Sequence, residues 1–233
     1  MNLKPTTTSY AILGLLSVRP WSAYELAQQM SRSLIHCWPV APSVVYHEPK
    51  RLVAMGYATV TRQQAGRRSR AVYQITPGGR DALRQWLATQ PADPQLQLEP
   101  MLRLIFADSA TPRELAASLR ELRAWADDRL AAGARQCEDY LATGGPFPGR
   151  LDLLALFAEF FGQLYALAGD WAQHAEDDVT PWPATTTTGL SPHTRKRLQT
   201  VVDLARRRGL GAAEHQTPAT AAAGNDPDAY ASR

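Results

Sequence analysis

At 233 residues, 45% hydrophobic and 20% charged, the chain can hold one large or two smaller cored domains of globular composition. The net charge of +3 hides a strong asymmetry: residues 1–90 carry 11 basic and 3 acidic side chains, 91–179 carry 7 and 15, and 180–233 carry 7 and 4. A front end of net +8 marks a binder of phosphate backbones, and a middle of net −8 argues against indiscriminate coating of nucleic acid.

In chain order, Ser9 to Val18 is apolar nearly all round and predicts a buried first helix ending before Pro20. Ser22 and Glu25 form a capping box for a second helix, whose core face is expected through Tyr24, Ala27, Met30 and Leu34. Trp38-Pro39 marks a turn. Pro42 then suits the first turn of a third helix, and Gly56 its left-handed stop. Tyr57 to Arg62 and Ala71 to Ile75 carry the β-branched and aromatic residues of short strands. Between them Gln63 to Arg70 reads as a basic loop turning at Gly66. Thr76-Pro77 supplies N-cap and N1 for a fourth helix with Leu83, Trp86 and Leu87 inward. Helix, hairpin and basic loop outline a winged helix, which is a nucleic-acid-binding architecture.

The run Leu13-Gly14-Leu15-Leu16, Tyr24-Glu25-Leu26, Tyr46 with Lys50-Arg51-Leu52, Gly56-Tyr57 and Arg67 through Arg80 resembles the PadR family of bacterial transcriptional regulators. The resemblance covers about the first ninety residues and lies in order and spacing. It implies a dimeric winged helix-turn-helix regulator, often a repressor, often answering a small ligand or stress. The chain departs from the family pattern at His47 and Pro49, where Pro and Leu are usual. Inside a helix begun at Pro42, Pro49 forfeits the bond to the Val45 carbonyl at about 3 kcal/mol, so a bend or a later start is expected between Val45 and Pro49.

Val45, Leu52 and Val53 share one face of the third helix and should pack inward. Ser43, His47, Lys50 and Ala54 face the other way, with Tyr46 and Arg51 on the flanks. Ser43, Tyr46, His47, Lys50 and Arg51 are therefore the expected DNA contacts of the helix, and Arg67, Arg68 and Arg70 those of the wing.

Composition shifts at Gln90 to Pro94, which divides the chain into a winged-helix domain at 1–90, a helical dimerisation and effector domain at 91–178 and a basic, partly disordered tail at 179–233. A short helix is expected over Gln97 to Ala107. Thr111 and Glu114 form a second capping box that opens the longest periodic run in the chain. Leu115, Leu119, Leu122, Ala126, Leu130, Cys137 and Leu141 fall close to a heptad. After a turn at 143–150 the chain returns through Leu151 to His174. Two long apolar faces that one chain cannot cover predict a homodimer joined through Leu115, Leu119, Leu122, Leu130, Leu154, Phe157, Phe161 and Leu164. This half is similar in length and arrangement to the virulence-activator-type C-terminal domain of many PadR-like proteins. Its aromatic stripe reads either as plain packing or as a candidate effector pocket at Trp125, Phe160, Tyr165 and Trp171 for a drug-like or phenolic molecule. Ser191 to Leu210 reads as one more basic amphipathic helix, and 211–233 as disorder.

Cys37 and Cys137 are expected to be two free, buried or half-buried thiols in a reducing cytoplasm, with no metal-ligand spacing. Asp152, Glu159 and Gln163 interrupt the most apolar stretch, so no membrane span is expected. No nucleophile elbow, phosphate loop or paired-carboxylate motif stands in the chain, which argues against an enzyme and against a cofactor. The expectation is a mainly α protein with an N-terminal winged helix-turn-helix and long antiparallel dimerisation helices. It would bind a double-stranded DNA operator as a cytoplasmic homodimer. The alternative is a winged helix used for protein contacts without specific DNA binding.

Overall fold

The computed structural model describes residues 3–65, 68–186 and 189–210. Arg67, the turn residue Gly66 and the tail expected to be disordered at 211–233 lie outside them. α1 (Thr7–Leu16) is held by a third capping box, in which Thr6 accepts from the Ser9 N–H and Ser9 answers the Thr6 N–H. β1 (Trp21–Ser22) leads into α2 (Ala23–Gln29), capped by Ser22 and Glu25 as expected and prolonged by a π-helical turn at Met30–Leu34. α3 (Pro42–Ala54), β2 (Ala58–Ala65), β3 (Arg68–Ile75) and α4 (Pro77–Leu87) complete the winged helix. The sheet is antiparallel in the order β1-β3-β2, with Val60 opposite Tyr73 and Trp21 on the other side of Tyr73.

Ile12, Leu13, Leu26 and Leu52 are sealed from solvent at the centre of this unit. Around it two glycines hold positions that a side chain would spoil. Gly56 stops α3 at φ +76°. A Cβ on Gly79 would sit 2.1 Å from the Tyr57 carbonyl oxygen, so α4 can approach the sheet only through a glycine there.

Several expectations are corrected. The buried line of α2 runs through Leu26 and Met30, with Ala27 at its side; Tyr24 is 61% exposed, because α2 turns its 23–26–30 stripe toward α3 and the sheet. α3 starts at Pro42 and runs unbroken to Ala54, so its start is not delayed. Pro49 is fully buried beside Val45 and Leu52, and this packing offsets the missing bond inside the helix. The hairpin is longer than the two short strands expected: Arg68 and Arg70 belong to β3, opposite Ala65 and Gln63, not to a loop. Leu87 is 68% exposed, while Trp86 stacks on Tyr10 at 4.9 Å between ring centres.

Residues 90–98 have no helix or strand. α5 (Glu99–Ile105) and a 3₁₀ turn (Ala107–Ser109) follow, with Leu102, Ile105 and Phe106 exposed. α6 (Pro112–Thr143) is capped by Thr111 and Glu114 and stopped by Gly144 at φ +76°. After a 3₁₀ turn (Pro148–Arg150), α7 (Leu151–Val179) returns antiparallel to it, Arg120 pairing with Glu176 at 2.8 Å near one end and Leu130 meeting Gly162 further along. The core of this pair lies toward the Arg120–Glu176 end, where Leu115, Ala116 and Leu119 cluster with Ala175 and Val179 beside Leu104, Trp171 and Trp182, and burial continues through Leu122, Ala126, Tyr165 and Ala172. Pro148–Val179 is long and apolar enough to cross a membrane by length and composition alone, although no span was expected; one side of it packs on α6 and lines two cavities, while Leu153, Leu156, Phe160 and Leu167 are exposed. α8 (Pro192–Arg207), capped by Ser191, is tied to the end of α7 through Arg197 and Asp178 and leaves Leu198, Val201 and Val202 exposed.

Candidate nucleic-acid interface and effector cavities

α3 separates its faces sharply. Val45, Glu48, Pro49 and Leu52 are buried, and Ser43, Tyr46, His47 and Lys50 are exposed along the opposite side. The exposed set is short, polar and free of carboxylates, which suits base edges and phosphates. Arg51 differs from the expectation. Its guanidinium pairs with Glu48 at 2.8 Å and reaches the Lys4 carbonyl at 3.3 Å, so two of its five N–H donors are spent within the protein. Glu48, 3% exposed, also receives the hydroxyl of the fully buried Ser9. This buried carboxylate fastens the back of α3 to α1, and sequence pattern gave no hint of it, because Glu48 looks like an ordinary solvated helix position.

The wing stands beside α3. Arg70 is exposed on β3 next to Gln63 of β2, and Arg62, one residue earlier on β2, is exposed as well. Arg68 has its backbone in β3, and Arg67 falls outside the described residues. A cationic hairpin edge next to an exposed polar helix face is a geometry that can hold duplex phosphates while presenting side chains to a groove.

The residues expected to join two subunits divide into two groups. Leu115, Leu119 and Leu122 are 5%, 2% and 4% exposed within the single chain, so α7 already covers them and no partner can reach them. Leu130, Leu154, Phe157, Phe161 and Leu164 are half-buried and line cavities between the α6–α7 hairpin and the winged helix. One, the linker cavity, holds about 410 Å³ and is walled by Leu96 and Leu98 of the 90–98 segment, Trp125, Tyr165 and Trp171. The other, the hairpin cavity, holds about 390 Å³ and runs along α6 and α7 under α2. Of the four expected effector residues, Trp125, Tyr165 and Trp171 line the linker cavity, whereas Phe160 points away at 62% exposure.

Polar groups converge here. His36 Nδ1 and the Tyr165 hydroxyl are hydrogen-bonded at 2.7 Å, and both face the two cavities together with Arg129. Burial, and then the Arg129 charge, push the His36 pKa down, so the ring is neutral; burial also pushes the Tyr165 phenol up. Nothing local announces this meeting, since its partners are 129 residues apart. Phe147, in the α6–α7 turn, makes a second bridge by packing on Trp21 at 6.2 Å. Cys137 lines the hairpin cavity half-buried, but Cys37 is exposed instead of buried.

The Transcriptional regulator PadR-like family matches residues 12–85. The Negative transcriptional regulator PadR of Bacillus subtilis (strain 168) is 31% identical over 107 residues, which is 45% of this chain and 59% of that protein. The match therefore spans less than two thirds of that relative's length. Crystal structures of the same Bacillus subtilis regulator superpose on 75% of this chain and 99% of theirs at 22% identity, with a TM-score of 0.63 in complex with operator DNA and 0.58 in complex with p-coumaric acid. The Vibrio cholerae virulence activator AphA superposes with a TM-score of 0.59 at 21% identity, covering 75% of this chain and 98% of its own. At these identities the structural likeness is one of fold, and it extends past the winged helix into the helical half. Residues 12–85 form a PadR-like domain, the winged helix-turn-helix of that regulator family.

Proposed function

We propose that this chain is a sequence-specific, double-stranded-DNA-binding transcriptional regulator, a repressor that works as a homodimer in the cytoplasm and yields to a small ligand. The observation that carries the reading is α3, with Ser43, His47 and Lys50 exposed on one face beside the cationic β2–β3 edge, and with its opposite face locked into the core. The helix reads base edges and the wing supplies attraction to phosphate. In this reading residues 1–90 bind DNA, 91–178 dimerise and sense the effector, and 179–233 form a basic tail. Exposed Leu156 and Phe160 on α7, with Ile105 and Phe106 at the end of α5, support dimerisation, because apolar surface of this extent is costly to leave in water. A cavity that touches both the winged helix and the hairpin supports ligand response, since its occupant bears on both at once. The relative's complex with p-coumaric acid makes an aromatic acid a reasonable first ligand for the linker cavity.

The test is operator selection from a random-site library on the purified full chain, followed by titration of selected and random duplexes at several salt concentrations. The expected result is a preferred site, bound by two copies, with affinity falling as salt rises. A chain that binds every duplex alike and weakly, while retaining protein partners, would instead be a winged-helix protein-contact module.

A further inference from the structure

The hairpin cavity is elongated. On α6 its wall runs from Arg129 to Tyr140 and on α7 from Leu153 to Tyr165, which at about 1.5 Å per residue gives a trough of about 16–18 Å. Leu15, Val18 and Leu34 of the winged helix close it from above. Its cations sit toward the ends: Arg129, beside His36 and Tyr165, and Arg150 near the α6–α7 turn. Neither is among the ion pairs formed by the described residues.

Two glycines widen the middle. Gly133 of α6 and Gly162 of α7 both line the trough. A Cβ on Gly133 would meet no atom within 4 Å, and one on Gly162 only Leu130 Cδ1 at 3.9 Å. Close helix packing does not explain glycine at these places, unlike Gly169, where a Cβ would press on Asp127 at 3.1 Å. A helix-interior glycine costs about 1 kcal/mol relative to alanine, so these two exchange helix stability for open space inside the trough.

We propose that the hairpin cavity is a binding site for an elongated aliphatic carboxylic acid, its carboxylate at Arg129 and its chain lying over Gly133 and Gly162 toward the α6–α7 turn. This deepens the ligand-responsive reading and rests on it for its regulatory meaning, though not for binding itself. A half-buried guanidinium without a carboxylate partner favours an anion, and the apolar length beyond it favours a straight chain over a compact ring. A volume of about 390 Å³ suits one small molecule. A second copy of the chain fits it poorly, since stable subunit contacts bury about 800 Å² on each side. The occupant would also reach the DNA-binding unit: His36 shares the wall, and only 37–41 separate it from the start of α3 at Pro42.

The test uses the full chain with Cys37→Ser, so that Cys137 in the trough is its only thiol, and dodecanoate, dodecanol and cinnamate as probes. Dodecanoate is expected to bind saturably without DNA and to slow alkylation of Cys137 about tenfold when present at about ten times its Kd. Arg129→Gln should weaken dodecanoate by about 10- to 100-fold and leave dodecanol unchanged. Gly162→Leu should abolish protection by both, with circular dichroism and unfolding confirming the fold. The proposal is overturned if dodecanoate leaves Cys137 alkylation unaltered, or binds Gly162→Leu as well as the parent. It is equally overturned if raising protein concentration alone protects Cys137, which would make the trough a subunit interface. If cinnamate releases the chain from its operator without protecting Cys137 and dodecanoate does nothing, the trough is not the site and the ligand-responsive reading stands on the linker cavity.

Discussion

In the winged helix Ile12, Leu13, Leu26 and Leu52 have no exposure at all, whereas on the hairpin Leu153, Leu156, Phe160 and Leu167 are 62–66% exposed. Both regions are rich in leucine and aromatics. The difference lies in how many directions cover each side chain. The winged helix packs α1, α2, α3 and α4 with a sheet about one core, so its central apolar side chains are covered from several directions. The hairpin is two helices with one mutual face, and each long helix has outer stripes that α1, α2 and the linker reach only in part. The winged helix is therefore finished within one chain, whereas the hairpin keeps large apolar side chains in water.

The largest effect that can break this contrast comes from truncating one leucine in each region. Leu52→Ala removes a fully buried side chain and should destabilise the winged helix by about 2–5 kcal/mol in urea unfolding. Leu156→Ala, at a 65% exposed position, should change stability by less than about 0.5 kcal/mol in dilute monomer. If Leu156→Ala costs as much as Leu52→Ala, and more so as concentration rises, α7 is sealed by a second copy and the two regions are equally complete.

The second contrast lies within the winged helix, between α3 and the wing. Lys50→Ala should weaken a selected operator by about 1–3 kcal/mol more than random duplex if Lys50 reaches a guanine edge. Arg70→Ala should weaken both duplexes alike and lower the salt slope by about one. Titration of both variants on both duplexes would show the roles reversed if Arg70→Ala erased operator preference while Lys50→Ala lowered both affinities equally.

Features whose causes are local were legible from the residues alone. The boxes at Ser22–Glu25 and Thr111–Glu114, the Thr76-Pro77 start and the Gly56 stop each lie within a few residues, and each stands where expected. Features that depend on a distant partner were not. β1 is two residues long and exists only because β3 returns beside it, fifty residues later. Tyr24 has the spacing of a core residue but faces water, since helix periodicity gives a stripe and tertiary contacts choose its angle. Pro49 pointed to a bend or a later start, yet α3 starts at Pro42, with Pro49 buried near Val45 and Leu52. The heptad from Leu115 to Leu141 is real as far as Ala126 and then runs out of cover, leaving Leu141 88% exposed. His36 and Arg129 look like isolated polar residues in sequence and come to line the same cavities only when the turn after α2 meets the hairpin.

A smaller effect would sharpen the idea that open space is kept in the hairpin. Gly133→Ala adds a methyl where no atom lies within 4 Å, so it should stabilise α6 by about 0.5–1 kcal/mol through helix propensity alone. The readout is the urea midpoint of the hairpin. A loss of stability would mean that the space is already occupied by a partner chain.

The smallest effect expected is on acid sensitivity, and it probes the seam between the two regions. His36 holds its proton less tightly in the folded chain than its ordinary value of 6.5, because burial and then Arg129 disfavour the cation. Below that value the unfolded chain binds a proton that the folded chain resists, so stability is full above about 6.5 and falls as pH drops through the window beneath it. The Tyr165 phenol, pushed further up by burial, stays neutral in this range. Glu25 and Glu114, both held below their ordinary 4.5 by their capping-box hydrogen bonds, act only at lower pH, so the two sources separate. His36→Gln keeps a hydrogen-bonding side chain at the seam and removes the titration. Between about pH 7.5 and pH 5.5, spanning the ordinary histidine range, the unfolding midpoint of the parent should fall more than that of His36→Gln. Equal falls would show that His36 meets water freely, and that the hairpin does not rest on the winged helix through this contact.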